Sequence, residues 1–251
     1  MRRRGVLIGL AATGIVCVLA LAATTRVRAS TTAVPAPSRV LFIGNSLTLT
    51  NDLPAMVVSL ARAAGKDAVT ETIAFGGFSL EDHWTQGDAR RAIAKRGWSF
   101  VVLQQGPSSL PESQANLREF TKKFDGEIRA AGARTALYMV WPERARLDAL
   151  DAVVRSYAAA AADVRGVLLP AGDAWRAAWR RDRSIALYGP DDFHPSMTGS
   201  YLAALAIVAR LFDVSPIGLP MVVPPGLSTG YAPVSSATLR LLQDAAFEVT
   251  R

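Results

Sequence analysis

The sequence predicts an α/β domain built on a mainly parallel sheet with helices on both faces. Short apolar runs rich in β-branched residues alternate along the chain with longer segments whose apolar residues recur at helical spacing. The run at residues 98–105 is apolar on both faces, as a central parallel strand requires. Beyond residues 1–29, the other 222 of the 251 residues suit one domain large enough to bury a full core.

The first strand covers 40–43 and stops at Gly44-Asn45-Ser46. A helical pattern opens at Asn51-Asp52-Leu53-Pro54, with Asp52 as cap, Met56, Leu60, Ala63 and Ala64 on one face, and Gly65 as its stop. Residues 69–75 alternate and include Thr70, Glu71 and Thr72, which reads as an edge strand. After Gly76-Gly77-Phe78-Ser79 one charged helix is expected to run to Lys95. The third strand spans 98–105. A loop through Pro107 and Pro111 then leads to a helix carrying Leu117, Phe120, Phe124 and Ile128 and closed by Gly132. Residues 135–141 form a fourth strand, and Pro142 opens an alanine-rich helix that continues through Ala162. A short fifth strand at 167–169 precedes an amphipathic helix over 171–183, with Trp175 and Trp179 four apart. Residues 200–212 carry one charge, Arg210, and read as a buried helix. A Pro/Gly-rich passage over 214–233 leads to a last helix from Ser235-Ser236, and there are no internal repeats.

The N-terminus has the layout of a secretory signal: Met1-Arg2-Arg3-Arg4-Gly5, an apolar run from Val6 to Ala23, then Val27-Arg28-Ala29 before Ser30. The run is long for a signal, so an uncleaved anchor is the alternative. The single cysteine, Cys17, lies inside it, which leaves no disulfide in a chain cleaved after Ala29. Residues 30–38, rich in Thr, Ala, Pro and Ser, form a flexible lead-in, and the domain covers 39–251. Of 28 basic residues, five arginines lie in 1–29, leaving 23 against 21 acids. The net charge of +7 is thus mainly a targeting feature. No nucleic-acid partner is implied, because the remaining basic residues are interleaved with acids. Membrane contact is expected only if the leader stays attached.

A strand that delivers a serine to a turn before a helix presents a nucleophile, and Ser46 has that setting. Its base must come from one of two histidines, His83 or His194. His194 lies in Asp191-Asp192-Phe193-His194-Pro195, so a carboxylate three residues earlier can fold back to the ring. Asp191 is favoured for that role, with Asp192 read as a cap of the next helix. In a parallel sheet ligands bind beyond the carboxyl ends of the strands, where Ser46, Gly77, Gln104 and Gln105 fall.

Gly44-Asn45-Ser46-Leu47-Thr48, Gly77-Phe78-Ser79-Leu80 and Asp191-x-x-His194-Pro195 together resemble the SGNH, or GDSL-like, hydrolases over about residues 39–212. The resemblance implies a three-layer α/β/α flavodoxin-like fold with a five-stranded sheet in the order 2-1-3-4-5. It also implies ester hydrolysis by Ser46, His194 and Asp191 through an acyl-enzyme, with no cofactor. In that family the oxyanion is held by the amides of the serine and of the second-block glycine, here Ser46 and Gly77, and by an asparagine side chain. The third strand here ends in Leu103-Gln104-Gln105-Gly106-Pro107 instead of Gly-x-Asn. Gln104 is expected to supply that donor, with Gln105 engaged by the loop.

Asn45, Gln105, His83, Trp84 and Trp141 are further candidates to line the site. His83 reads more simply as a surface histidine, and the tryptophans as packing. Asp191, Asp192 and His194 lack further His or Cys ligands for a metal. The expectation is a secreted serine esterase acting on a small acyl or acetylated carbohydrate ester. A glycan-binding domain on the same fold and an O-acyltransferase with the same triad are the alternatives. Mass spectrometry of the exported protein is expected to find a start near Ser30; intact residues 1–28 in a membrane fraction would mean an anchor.

Overall fold

The computed structural model describes residues 36–224 and 234–251. The expected leader, most of the lead-in and part of the Pro/Gly-rich passage lie outside the described residues. Five strands pair in parallel in the order β2-β1-β3-β4-β5: β1 (Ser38–Gly44), β2 (Ala68–Ala74), β3 (Phe100–Leu103), β4 (Arg134–Tyr138) and β5 (Val167–Leu169). Val40–Ile43 of β1 and Val101–Leu103 of β3 are fully buried, in keeping with continuous apolar strands covered on two faces. β2 is an edge strand, as its Thr-Glu-Thr pattern predicts.

Helices cover both faces in two groups. The first holds α2 (Leu53–Ala63), α7 (Ala171–Arg181), α8 (Met197–Phe212) and α9 (Ser236–Thr250); the second holds α3 (Leu80–Gln86), α4 (Asp88–Ala94), α5 (Pro111–Ala130) and α6 (Leu150–Asp163). This is the three-layer α/β/α arrangement. α8 is buried along nearly all its length, with Arg210 its one exposed residue. Among the described residues no helix is long and apolar enough to cross a membrane.

Several boundaries differ from the sequence reading. The charged helix after β2 is two helices, because Gly87 adopts φ +86° and breaks the hydrogen-bond ladder between α3 and α4. Pro142 does not open a helix. A 3₁₀ segment over Arg144–Ala149 intervenes, and α6 begins at Leu150. β3 and β4 are shorter than the apolar runs that contain them, since Trp98, Val140 and Trp141 are buried outside the ladder. Ala63 is exposed; the buried face of α2 is Leu53, Met56, Val57, Leu60 and Ala61.

The start of α8 sets the loop that precedes it. Ser196 caps the helix by accepting from the Gly199 amide (3.0 Å), and the Trp175 indole donates to the Gly199 carbonyl (3.1 Å). A methyl group at Gly199 would run into the Leu187 carbonyl and the Trp175 ring. Gly199→Ala is therefore expected to cost about 1–3 kcal/mol by overpacking. A lowered urea midpoint at unchanged m-value would report it.

Candidate active site

β1, β2 and β3 end level with one another: Gly44 pairs with Ala74, and Ile43 with Leu103. The chain segments leaving those three strands therefore meet. Ser46 is the first residue of a one-turn helix, α1 (Ser46–Leu49), a turn that the sequence reading does not resolve. Asn45 caps it, its side-chain oxygen accepting from the Leu47 amide (3.1 Å). Ser46 is half-buried, and its hydroxyl sits 2.8 Å from His194 Nε2.

His194 is carried on a tight loop between α7 and α8. The loop is closed by bonds from the Gly189 amide to the His194 carbonyl (2.7 Å) and from the Ser196 amide to the Leu187 carbonyl (2.8 Å). Asp191 Oδ2 lies 2.6 Å from His194 Nδ1, while Asp191 Oδ1 accepts from the amides of Phe193 (3.1 Å) and His194 (2.9 Å). With Nδ1–H donating to Asp191, Nε2 is the nitrogen left to accept the serine proton. The bond from His194, helped by the two amides, holds the Asp191 carboxyl down to about 2, so it is ionised throughout the neutral range. Asp192 does not cap the next helix. It pairs with Arg144 (2.6 Å) in a left-handed conformation, and Ser196 is the cap.

The histidine loop is docked from several sides. The Trp141 indole donates to the Phe193 carbonyl (3.2 Å), the Arg144 amide to the Asp192 carbonyl (2.9 Å), and the Tyr188 hydroxyl to the Pro142 carbonyl (2.5 Å). From the Ser46 side, Asn51 Nδ2 donates to the Pro195 carbonyl (3.0 Å) and the Ser200 hydroxyl (2.9 Å). Asn51 does this with φ +58°, a left-handed conformation that asparagine tolerates better than most residues. Sequence reading took Asn51 only as the start of a helical pattern. Its clue was an asparagine just ahead of an Asp-x-Pro helix start.

Ser46 lies at a depression of about 630 Å³ that is also lined by Gly77, Phe78, Gln105, Ser108 and Phe193. Gly77 is left-handed (φ +77°). Neither its amide nor that of Ser46 donates to another group among the described residues. Arg146, Glu112, Ser113 and Asn116 complete the wall, and nothing in the sequence pattern singles them out. A depression of similar size, about 650 Å³, is lined by Arg90, Arg91 and Glu127 but brings no nucleophile to a base.

Four expected site residues sit elsewhere or act differently. Gln104 is fully buried, and its amide is saturated. Oε1 accepts from the Asn45 amide (2.9 Å) and the Thr48 hydroxyl (2.7 Å), and Nε2 donates to Asn45 Oδ1 (2.9 Å) and the Gln105 carbonyl (2.8 Å). It thus has no hydrogen to offer an oxyanion, and Gln105 is the glutamine that lines the depression. Trp84 packs edge-on against Phe124 beneath Arg90. Trp141 is fully buried and stacked on Trp175 at 3.5 Å. Neither tryptophan faces a ligand at this site. His83 is not on the surface. It is fully buried, flanked by Phe75 and Phe78, with Nε2 on the Gly44 carbonyl at 2.7 Å.

No family model and no curated protein matches the sequence. Solved structures do. A putative SGNH hydrolase from Slackia heliotrinireducens is 29% identical and covers 70% of this chain and 100% of its own, with a TM-score of 0.60. The chain is SGNH-like. A DUF4886 family protein from Bacteroides uniformis has the same fold at 19% identity, covering 85% of this chain and 95% of its own, with a TM-score of 0.70. So does a Geobacillus acetyl-xylooligosaccharide esterase, at 17% identity, 69% and 94% coverage and a TM-score of 0.53. Within this SGNH-like fold, the Ser46, Gly77 and Asp191/His194 segments converge on one depression.

Burial lowers the pKa of His83, outweighing its bond to Gly44 and the charges of Asp82 and Asp88. The unfolded chain then binds a proton that the folded chain does not, so stability falls as the pH drops below about 6.5. His83→Gln keeps a donor for the Gly44 carbonyl but cannot titrate. Urea midpoints at acid and neutral pH are expected to differ less in that variant than in the wild type.

Proposed function

We propose that the chain is an exported serine ester hydrolase acting on a small acyl group, with an acetylated carbohydrate as the preferred ester. The observation that carries this is the unbroken Ser46–His194–Asp191 line, 2.8 Å and 2.6 Å long. The structural neighbours include hydrolases and esterases, which supports ester hydrolysis in general. Ser108, Ser113, Asn116 and Arg146 offer hydrogen-bonding groups to a hydroxyl-rich alcohol, beside the apolar Phe78, Pro107 and Phe193. Export rests on the signal-like residues 1–29.

In the reaction, Ser46 Oγ attacks the ester carbonyl carbon while its proton passes to His194 Nε2. The carbonyl oxygen becomes an oxyanion facing the free amides of Ser46 and Gly77. Asp191 remains ionised and stabilises the imidazolium. Collapse breaks the C–O bond to the alcohol, which takes the proton from Nε2 and leaves the acyl group on Ser46. Water, deprotonated by the same nitrogen, then attacks the acyl carbon, and the carboxylic acid departs with the serine restored. The remaining oxyanion donor falls to Gln105. Its Nε2 donates to the Ser108 hydroxyl at 2.8 Å, while its second hydrogen meets only the Ser113 carbonyl at a marginal 3.5 Å and is the one available to an oxyanion.

A fluorophosphonate probe is expected to label Ser46, and acetyl esters to be cleaved faster than butyryl or long-chain ones. Ser46→Ala and His194→Ala should each lower turnover by about 10³-fold or more. Gln105→Ala should lower kcat by about tenfold or more with little change in KM. Absence of labelling in folded protein would leave the glycan-binding reading instead. Transfer to a sugar acceptor in preference to water would make the protein an acyltransferase. A preference for long acyl chains would overturn the substrate assignment.

A further inference from the structure

Gln104 stands directly behind the nucleophile turn, at the end of β3, with its own amide bonded to the Ile43 carbonyl (2.9 Å). Its side chain crosses under Gly44. A methyl group at Gly44 would collide with both Gln104 Oε1 and Thr48 Oγ1, so the glycine is what admits the crossing. The amide orientation follows from its partners. A backbone N–H from Asn45 can only donate, so Oε1 must face it; Asn45 Oδ1 and the Gln105 backbone carbonyl can only accept, so Nε2 must face them. All hydrogen-bonding capacity of the buried side chain is thereby used.

The bonds also reach past the turn. Asn45, held by Gln104 at its amide and its side-chain oxygen, uses its remaining Nδ2 to donate to the Phe78 carbonyl (3.0 Å), next to Gly77. The Gln105 carbonyl, the acceptor for Gln104 Nε2, also accepts from the Tyr157 hydroxyl (2.5 Å). Gln104 thus joins the Ser46 turn and the Gln105 backbone directly, and the Gly77 turn through Asn45; these are the three pieces that face the oxyanion in the proposed reaction.

We propose that Gln104 is a positioning residue that sets the mutual geometry of the Ser46 amide, the Gly77 amide and Gln105 without touching substrate. This role rests on the serine hydrolase reading. It predicts a loss in the chemical step and little change in binding, because a small displacement of preorganised donors is enough to cost about 10²-fold.

The test compares wild type, Gln104→Leu, which keeps the volume and removes all four side-chain bonds, and Thr48→Val, which removes one. Amide hydrogen exchange, kcat and KM on an acetyl ester are measured for each. In Gln104→Leu, exchange over residues 44–49 and 76–80 is expected to accelerate by about tenfold or more, with α5 unchanged. Its kcat should fall by about 10–100-fold with KM within about threefold of wild type, and Thr48→Val should fall between the two. A folded Gln104→Leu variant with wild-type exchange in those segments, or with kcat within about threefold of wild type, would overturn the proposal. Should Gln104→Leu fail to fold, Thr48→Val decides: unchanged exchange over 44–49 rejects the role. If the wild type neither cleaves esters nor takes the fluorophosphonate, the hydrolase reading fails. The exchange data then still decide whether Gln104 holds these turns together.

Discussion

Parallel pairing of β1 with β2 and β3 brings their carboxyl ends to one level, and the site depends on that constraint. Each strand hands its chain to a turn at the same edge: Asn45-Ser46 from β1, the Gly77 turn after β2, Gln104-Gln105 from β3. Turns that meet this closely must satisfy one another's backbone groups, since little water can reach between them. Gln104, Asn45 and Gly44 solve this with one compact network, in which glycine supplies the space and two amide side chains supply the bonds. Burial of β1 and β3 anchors that network to the rigid middle of the sheet.

The two halves of the proposed triad are assembled in different ways. Asp191 and His194 are three residues apart, and their geometry is made within one short loop by backbone amides and the Gly189–His194 bond. Ser46 and His194 are 148 residues apart, and their 2.8 Å contact depends on long-range docking. That docking comes from Trp141, Arg144 and Tyr188 on one side and from Asn51 on the other. Disturbing the docking contacts would lengthen Ser46–His194 long before it touched Asp191–His194.

This division also explains what could be read from the sequence. The edge position of β2 and the buried character of α8 follow from apolar periodicity, because they reflect burial averaged over many residues, whereas the strand order was implied only by the family resemblance. The Asp191/His194 pair was legible because it is local. The role of Gln104 was not. Side-chain alternation along a strand says which face a residue takes, but at the strand end the facing direction depends on which neighbouring turn demands hydrogen bonds. His83 failed for a similar reason: between Glu81-Asp82 and Trp84 it looks exposed, yet the break at Gly87 and the Phe75/Phe78 turn close over it. The tryptophans could be read as packing or as ligand platforms because indole rings serve stacking in either setting; packing, the simpler reading, is what they do, and the partner of Trp141 is Trp175.

The exposure of Asp191 weakens its charge as a partner for the imidazole, because solvent screens it. Its hydrogen bonds offset this. Two backbone amides fix one oxygen, leaving the other aimed at Nδ1, so the carboxylate is oriented by the loop and not by burial. The arrangement has a consequence for the whole site. A buried carboxylate would need a dry pocket around the histidine, whereas an amide-held one lets the histidine loop sit at the surface beside an open depression. That openness is compatible with the proposed ester, whose alcohol part would stay largely in water while its carbonyl reaches Ser46. The Trp141 and Asn51 contacts hold the histidine loop at a fixed distance from Ser46, whose own position is set from the core.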